Sequence, residues 1–293
     1  MNLLEIIARE LNQISQQVCL TVEIVSHLPF VEDEDFFQKA YRETSQTNAY
    51  WIPWTEQLGA WIESNGLKVS VVIREDGLDS DIRQLMVGLA SVITGVCLNL
   101  QGKVAIHANA VVVEGLACAF AGCSGRGKST LTAYCASKGA GFVTDDVLVV
   151  DSKGLVIPGN PQLKLYPHTG KSLGLNVRET NNYKIFYDVK HLGAKFDSAP
   201  IPLSAIYLLE KSDDNRIYTE RLIPSQAVFE VLTHSYYASE LISYNPQILE
   251  TYINLIACIP VKKLYYPRSF QLLPQVYDFL QREMHQLLTL STY

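Results

Sequence analysis

The pattern of apolar and polar residues differs between two parts of the chain. Residues 1–100 open with an amphipathic helix pattern, in which apolar residues at positions 3, 4, 7, 11 and 14 are separated by charged ones. Two strand-like runs follow, at residues 19–25 and 67–73. We therefore predict an N-terminal accessory α+β domain over residues 1–100.

The chain beyond residue 101 changes to short, closely spaced apolar runs, which are typical of strands. The predicted strands are residues 104–106, 110–113, 117–121, 142–146, 148–150 and 205–209. The predicted helices are residues 128–138, 225–239 and 275–288. This mixture indicates a second domain of the α/β class over residues 101–293, which ends in helices.

One stretch without charge, between Arg83 and Lys103, is about as long as a membrane-spanning helix. It contains polar side chains and glycines and leads directly into a predicted strand. We therefore expect a buried helix and no membrane span. The N-terminal helix pattern is interrupted by charges, unlike the apolar core of a signal peptide, so we expect a cytoplasmic protein.

The composition narrows the classes of partner. Hydrophobic residues make up 48% of the 293 residues and charged residues 18%, which is an ordinary globular composition. The net charge is −6 and no basic run stands out, which argues against binding to nucleic acid or to an acidic membrane. The six cysteines show no C-x-x-C and no zinc spacing, so we expect small buried residues in a reducing compartment.

Three tryptophans cluster within the predicted N-terminal domain, at Trp51, Trp54 and Trp61. Such a cluster could stack on a sugar or a peptide. It more often fills the core of a small domain or an oligomer interface, and we favour that interpretation.

The run Gly-Cys-Ser-Gly-Arg-Gly-Lys-Ser-Thr fits G-x-x-x-x-G-K-[ST], a pattern that binds the phosphates of a nucleotide. It stands between a predicted strand and a predicted helix, so bound phosphates would lie at a helix N-terminus. Lys128 would reach the β- and γ-phosphates, and the Ser129 hydroxyl would bind Mg²⁺. The residues predicted to contact the nucleotide are Gly122, Cys123, Ser124, Gly125, Arg126, Gly127, Lys128, Ser129 and Thr130.

Two adjacent carboxylates, Asp145 and Asp146, end the predicted strand that follows this helix. Neighbouring residues of a strand point to opposite faces, so the two have different roles. One would bind or orient Mg²⁺, and the other would accept the proton of an attacking hydroxyl. In the alternative, the pair only ends the strand in a solvated turn. Upstream, His107 is a third candidate, although a single histidine beside a strand is usually structural.

These pieces resemble the catalytic domain of the HPr kinase/phosphorylase family, which has the phosphoenolpyruvate-carboxykinase-like fold. The matched residues are His107, then the run from Gly122 to Ser129, then Asp145 and Asp146, at the intervals of that family. Residues 158–167 resemble the same stretch of HPr-kinase-like proteins that modify peptides, such as the lasso-peptide kinases. Those kinases phosphorylate a serine on a precursor peptide.

The resemblance implies roles for the matched residues. The glycine-rich run and Lys128 would hold ATP, and Ser129 would bind Mg²⁺. Asp146 would be the base that activates the acceptor hydroxyl, and His107 would orient the catalytic carboxylate. Asp145 is then the carboxylate that faces Mg²⁺.

Two features depart from the family pattern. Thr130 stands where HPr kinases have glutamate, and a later glutamate that contributes a metal ligand in that family has no clean counterpart here. Glu179 and Asp188 are candidates to replace it. We therefore expect an acceptor other than HPr.

The sequence thus predicts a P-loop kinase core of the HPr kinase type beside a smaller N-terminal α+β domain. It would transfer the γ-phosphoryl group of ATP, with Mg²⁺, to a serine hydroxyl of a peptide or small protein. Two alternatives remain open: a kinase of free serine or of a sugar, and a nucleotide-sensing module without transfer. We expect no nucleic-acid or membrane partner, and homo-oligomerisation is left open.

Overall fold

The computed structural model describes residues 21–25, 49–55, 58–73, 82–177, 184–196, 198–214 and 216–291. The amphipathic helix expected at the N-terminus lies outside the described residues.

The described residues form a mixed α/β structure, as predicted. The strands are β1 Thr21–Val25, β2 Ala49–Pro53, β3 Leu58–Glu63, β4 Lys68–Ile73, β5 Val104–Val113, β6 Leu116–Ala121, β7 Gly141–Thr144, β8 Val147–Val150, β9 Leu155–Ile157, β10 Gln162–Leu165, β11 Ile185–Asp188, β12 Ile201–Lys211, β13 Tyr218–Arg221 and β14 Val261–Tyr266. The helices are α1 Ile82–Leu100, α2 Lys128–Ser137, α3 Pro167–Ser172, α4 Pro224–Thr233, α5 Ala238–Ile242, α6 Gln247–Cys258 and α7 Leu273–Ser291. Short 3₁₀ helices cover Val189–Leu192 and Phe270–Leu272.

The chain divides into two compact units. Unit 1 comprises Met1–Lys103 and Tyr236–Ile248, and unit 2 comprises Val104–Ser235 and Leu249–Tyr293. Unit 1 therefore takes in a short piece of chain that lies far beyond residue 100. The glycine-rich run and the aspartate pair both belong to unit 2.

Unit 1 contains a four-stranded sheet in the order β1-β4-β3-β2. Trp51 and Trp61 face each other across β2 and β3, with their ring centroids 6.3 Å apart, and both are buried. A Cβ atom at Gly59 would lie 2.3 Å from the Trp51 ring, so only glycine leaves room for it. These two tryptophans therefore fill the core of unit 1.

Helix α1 covers the uncharged stretch. Leu89, Ile93, Val96 and Cys97 on this helix are completely buried. Of the helices that the structure describes, none is long and apolar enough to cross a membrane.

Unit 2 is built on a sheet in the order β13-β14-β12-β6-β5-β8-β9, with β7 paired to β5. Strand β12 runs parallel to both β6 and β14, so the carboxyl ends of these three strands share one edge of the sheet. Helices α2 and α7 pack on one face. The core beneath them contains Val111, Phe120, Leu131, Tyr134, Tyr207, Leu264, Val276 and Leu280.

Several predicted boundaries differ from the structure. The two short strands expected at residues 104–106 and 110–113 are one strand, β5, which runs through His107 without interruption. The helix expected at residues 225–239 ends at Thr233, and α5 begins separately after Tyr237, whose φ is +52°. Two of the cysteines, Cys123 and Cys258, are exposed instead of buried.

Candidate functional site

The glycine loop, residues 122–127, joins the end of β6 to the start of α2. Its three glycines, Gly122, Gly125 and Gly127, have φ angles of +145°, +78° and +94°, which side chains rarely allow. At Gly127 a Cβ atom would also lie 2.6 Å from the Tyr266 hydroxyl. The glycines are thus required by the course of the backbone.

Side chains from β14 and from the segment after it donate hydrogen bonds to carbonyl oxygens of this loop. The Tyr266 hydroxyl donates to the Arg126 carbonyl oxygen at 2.9 Å, and Arg268 Nη1 donates to the Gly125 carbonyl oxygen at 3.1 Å. The Arg126 side chain pairs with Glu210 at 3.0 Å. These three contacts fix the loop against β12 and β14 and the segment that follows β14.

The Lys128 side chain turns back into the loop. It is 7% exposed, and its Nζ donates to the Gly122 carbonyl oxygen at 2.6 Å. Burial lowers the pKa of Lys128, the charge of Lys184 adds to this lowering, and the charges of Asp146 and Asp145 oppose it. The Lys128 ammonium group and the two carboxylates therefore share one electrostatic environment.

The N-terminus of α2 suits an anion. Its N-cap is Gly127, which offers no side-chain acceptor, and the first turn contains no acidic residue. The N–H groups of a first helical turn have no partner within the helix. Ser129 and Thr130 lie in this turn and are partly exposed, whereas Cys123 and Ser124 lie at the exposed tip of the loop. This arrangement fits the phosphates of a nucleotide.

The second part of the site is the carboxylate turn, residues 145–146, between β7 and β8. Asp146 has a φ of +66°, in the left-handed region, and this ends the strand two residues earlier than predicted. Two backbone hydrogen bonds hold the turn. The Val147 N–H donates to the Asp145 carbonyl oxygen at 2.9 Å, and the Ala108 N–H donates to the Asp146 carbonyl oxygen at 3.0 Å. A non-glycine residue keeps this conformation only where its surroundings enforce it.

Both carboxylate oxygens of Asp145 accept hydrogen bonds. The Asn109 Nδ2 donates to Oδ1 at 2.6 Å, and the backbone N–H of Lys164 donates to Oδ2 at 2.8 Å. Burial raises the pKa of Asp145 to about 7, and the charge of Asp146 contributes to this rise. Asp145 is therefore held in place by two other strands, β5 and β10.

The Asp146 carboxylate lies between the side chains of Lys164 and His107. Lys164 Nζ lies 2.5 Å from its Oδ2, and His107 Nε2 lies 3.7 Å from its Oδ1. Burial alone would raise the pKa of Asp146, but the contact with His107 and the charge of Lys164 outweigh it and hold the pKa well below its ordinary value. Asp146 is therefore ionised at neutral pH.

The structure brings several sequence-predicted residues together. His107 lies beside Asp146, and the charge of Asp146 acts on Lys128 more strongly than that of Asp145 does. The sequence reasoning missed Asn109 and Lys164. Asn109 could have been found, because it lies two residues after His107 and so on the same face of β5. Nothing near Lys164 in the sequence signals its role.

The hydrogen bonds of Asp145 leave its carboxylate able to bind a metal ion. Each oxygen of Asp145 keeps a second lone pair, so it remains able to act as a metal ligand with Ser129. No cluster of three metal-binding side chains occurs in the part of the chain that the structure describes. Mg²⁺ characteristically uses one or two carboxylates together with substrate phosphates.

Neither candidate for the additional metal ligand is placed at this site by the structure. Asp188 accepts a hydrogen bond from the Lys190 N–H at the start of a 3₁₀ helix and pairs with the Lys190 side chain at 2.7 Å. Glu179 lies outside the described residues.

Comparisons with known proteins find similarity among solved structures. No family model matches the chain, and no curated protein matches it. Among solved structures, it is similar to the HPr(Ser) kinase/phosphatase from Coxiella burnetii, with 17% sequence identity and a TM-score of 0.33. The match covers 62% of this chain and 97% of that one. This similarity is distant, and we interpret the site from its own contacts.

Proposed function

We propose that the protein is a Mg²⁺-dependent kinase that transfers the γ-phosphoryl group of ATP to a serine hydroxyl of a peptide or small protein. The observation that carries this proposal is that Asp146, held between Lys164 and His107, acts by its charge on Lys128, the lysine that begins α2 and turns back into the glycine loop. A module that only senses nucleotide has no need of such a carboxylate beside its phosphate site.

The roles of the two carboxylates follow from their contacts. Asp146, which is already ionised, accepts the proton of the acceptor hydroxyl as the hydroxyl oxygen bonds to the γ-phosphorus. The bond from that phosphorus to the β–γ bridging oxygen breaks, and ADP leaves. His107 lies on one oxygen of this carboxylate and Lys164 on the other, so both orient it. Asp145 faces the metal and anchors the turn. Mg²⁺, when bound with the triphosphate, neutralises phosphate charge.

Lys128 and the first turn of α2 position the triphosphate. A phosphoryl transfer of this kind requires little covalent chemistry from the protein, so its rate depends on positioning and on charge. The lowered pKa of Lys128 reflects burial, and an incoming triphosphate would supply the negative charge that this buried ammonium group favours.

An open site favours a polypeptide acceptor. The His107 side chain is 45% exposed and the Asp146 side chain beside it is 17% exposed, so the Asp146 carboxylate is reached from the protein surface past His107. A kinase of free serine or of a sugar would enclose its acceptor in a pocket with a fixed polar anchor. A hydroxyl on an extended peptide can reach a carboxylate that lies near the surface.

The test uses ATP labelled in its γ-phosphoryl group, with Mg²⁺ and three separate acceptors: serine-containing peptides, free serine and a mixture of sugars. We expect phosphoserine in the peptides, identified by mass spectrometry. Label on free serine or a sugar alone would support the small-molecule kinase. ATP binding without a labelled product in any mixture would support the nucleotide-sensing module.

A further inference from the structure

A surface groove lies in unit 2 between helix α4 and the β13–β14 pair, and it encloses about 390 Å³. We call it the α4 groove. Its lining residues are Glu220, Leu222, Ser225, Gln226, Phe229, Glu230 and Lys263.

The groove presents apolar side chains to solvent. Phe229 lines the groove and is 69% exposed, and Ile223, outside the lining at the start of α4, is 58% exposed. Leu222, between these elements, is almost buried and forms part of the floor. Exposed apolar side chains that adjoin a concave surface and are rimmed by polar ones are typical of a binding site.

The charges of the groove are unbalanced. Lys263 Nζ pairs with Glu230 at 3.0 Å, and Glu220 stands opposite Lys263 in the register of β13 and β14. Glu220 also accepts a long hydrogen bond from the Tyr265 hydroxyl at 3.4 Å. The groove lining thus contains two carboxylates, Glu220 and Glu230, and one ammonium group, that of Lys263, and this excess of negative charge favours a basic ligand.

One wall of the groove is the last strand of the sheet. Strand β13 pairs with β14 on one side and ends the strand order within the described residues. An edge strand presents backbone groups to which an extended peptide can add. Tyr218, which stacks on Tyr265 with ring centroids 4.6 Å apart, lies on the same face as Glu220 and extends this wall.

The groove leads to the candidate active site. Glu230 lies one helical turn before His234, whose carbonyl oxygen accepts a hydrogen bond from the His107 N–H at 2.7 Å. Burial and then the charge of Lys128 lower the pKa of His234. This effect of Lys128 agrees with a position of His234 close to the candidate active site. Strand β12, which pairs with β14, is also connected to the glycine loop, because its Glu210 forms an ion pair with Arg126.

We propose that the α4 groove binds the acceptor polypeptide as an extended segment with a large apolar residue and a lysine or arginine near the phosphorylated serine. This inference rests on the proposed function. The apolar residue packs on Phe229 and Leu222, and the basic residue pairs with Glu220. A second copy of this chain is a poorer occupant, because its net charge of −6 opposes docking on an acidic groove.

The test measures peptide binding to the full chain without ATP, by fluorescence anisotropy. The probe is a short labelled peptide with a central serine, one phenylalanine and two lysines. One matched probe has glutamate in place of the lysines, and another has alanine in place of the phenylalanine. We expect each matched probe to bind at least about tenfold more weakly, as is common for loss of an anchor residue.

Variants of the chain locate the binding surface. We expect Phe229→Ala and Glu220→Gln to weaken binding of the first probe about tenfold or more. Ile253→Ala on α6, 47% exposed, and Asp213→Asn, whose side chain is 88% exposed, are matched controls that should leave it unchanged. ATP affinity should be the same in all four variants.

Three results would overturn the proposal: no binding of the first probe, equal binding of the glutamate probe, or normal binding by Phe229→Ala. Loss of a dimer in Phe229→Ala, detected by analytical ultracentrifugation, would instead assign this surface to self-association. Binding that follows the expected pattern without phosphorylation of the probe would support the groove and contradict the proposed function.

Discussion

The glycine loop and the carboxylate turn meet at one site, and both contain left-handed backbone, but they are held in different ways. In the loop, glycines adopt the positive φ angles at little steric cost. In the turn, Asp146 adopts φ +66° although it carries a side chain. Contacts from β5 and β10 hold the turn in place.

The two halves of the site should therefore respond differently to mutation. The positive φ angles of the loop depend on its own glycines, and Tyr266, Arg268 and Glu210 anchor it from other elements. Lys128 makes none of these anchoring contacts, so its substitution should affect mainly what the loop binds. The turn depends on partners far away in the sequence, so a change at Asn109 or Lys164 should disturb a carboxylate that neither residue adjoins along the chain.

The largest effect is expected for Lys128→Ala in the loop. Hydrogen bonds to charged groups contribute about 1.5–3 kcal/mol, so ATP affinity should fall about 10- to 100-fold. Phosphotransfer should fall further, because the lysine also stabilises the transferring group. Isothermal titration and a transfer assay measure the two losses, with the exposed Lys153→Ala as control. Unchanged affinity would contradict the role of the loop.

A smaller effect is expected for Lys164→Met in β10. The variant keeps the backbone N–H that binds Asp145 but removes the ammonium group from Asp146, so the unfolding free energy should fall by about 1–3 kcal/mol. Lys190→Met breaks the exposed pair with Asp188 and should cost almost nothing. Denaturant unfolding compares the two variants. Equal losses would show that the turn gains nothing from Lys164.

Asn109→Ala should separate positioning from binding. Asn109 is completely buried and donates to Asp145, so its loss should cost about 1–2 kcal/mol of stability and reduce phosphotransfer without changing ATP affinity. Asn99→Ala removes a buried asparagine of unit 1 that donates to the Tyr236 carbonyl oxygen. It should lose similar stability with normal transfer. If both variants transfer equally well, Asn109 has only a structural role.

A separate effect concerns the pH dependence of stability. Burial, aided by the charge of Asp146, raises the pKa of Asp145 from 3.8 to about 7 in the folded protein. Between these pH values the folded protein binds more protons than the unfolded chain, so the contribution of Asp145 to stability falls as pH rises. Asp145→Asn should flatten this decline in unfolding experiments, and Asp213→Asn should not. A parallel decline in all three proteins would contradict the raised pKa.

The difference between the two regions also explains how far the sequence could predict the structure. The strand, loop and helix around Lys128 follow from a local pattern of glycines and apolar residues, and they occur where expected. Local pattern could not reveal that β5 continues through His107, because alternating alanine, histidine and asparagine do not form a clear apolar run.

The contact of the carboxylate turn with Lys164 could not be predicted from local pattern. Lys164 lies 18 residues beyond Asp146, and only the pairing of β10 with β11 and the fold of unit 2 bring it there. The break between α4 and α5 depends on the left-handed conformation of Tyr237, which its side chain does not favour. The roles assigned to Ser129, Asp145 and Asp146 in binding and transfer stay predictions.

The central claim is that the loop binds the nucleotide and the turn carries out transfer. Asp146→Asn tests it most directly, because asparagine preserves size and tolerates left-handed backbone but lacks the charge and the basicity. The measurement is nucleotide titration and phosphotransfer on the same preparations of wild type, Asp146→Asn and Lys128→Ala. We expect transfer by Asp146→Asn to fall about 10²–10⁴-fold, as for loss of a general base, with ATP affinity retained. Lys128→Ala should lose both. Transfer by Asp146→Asn within a few-fold of wild type would contradict the account.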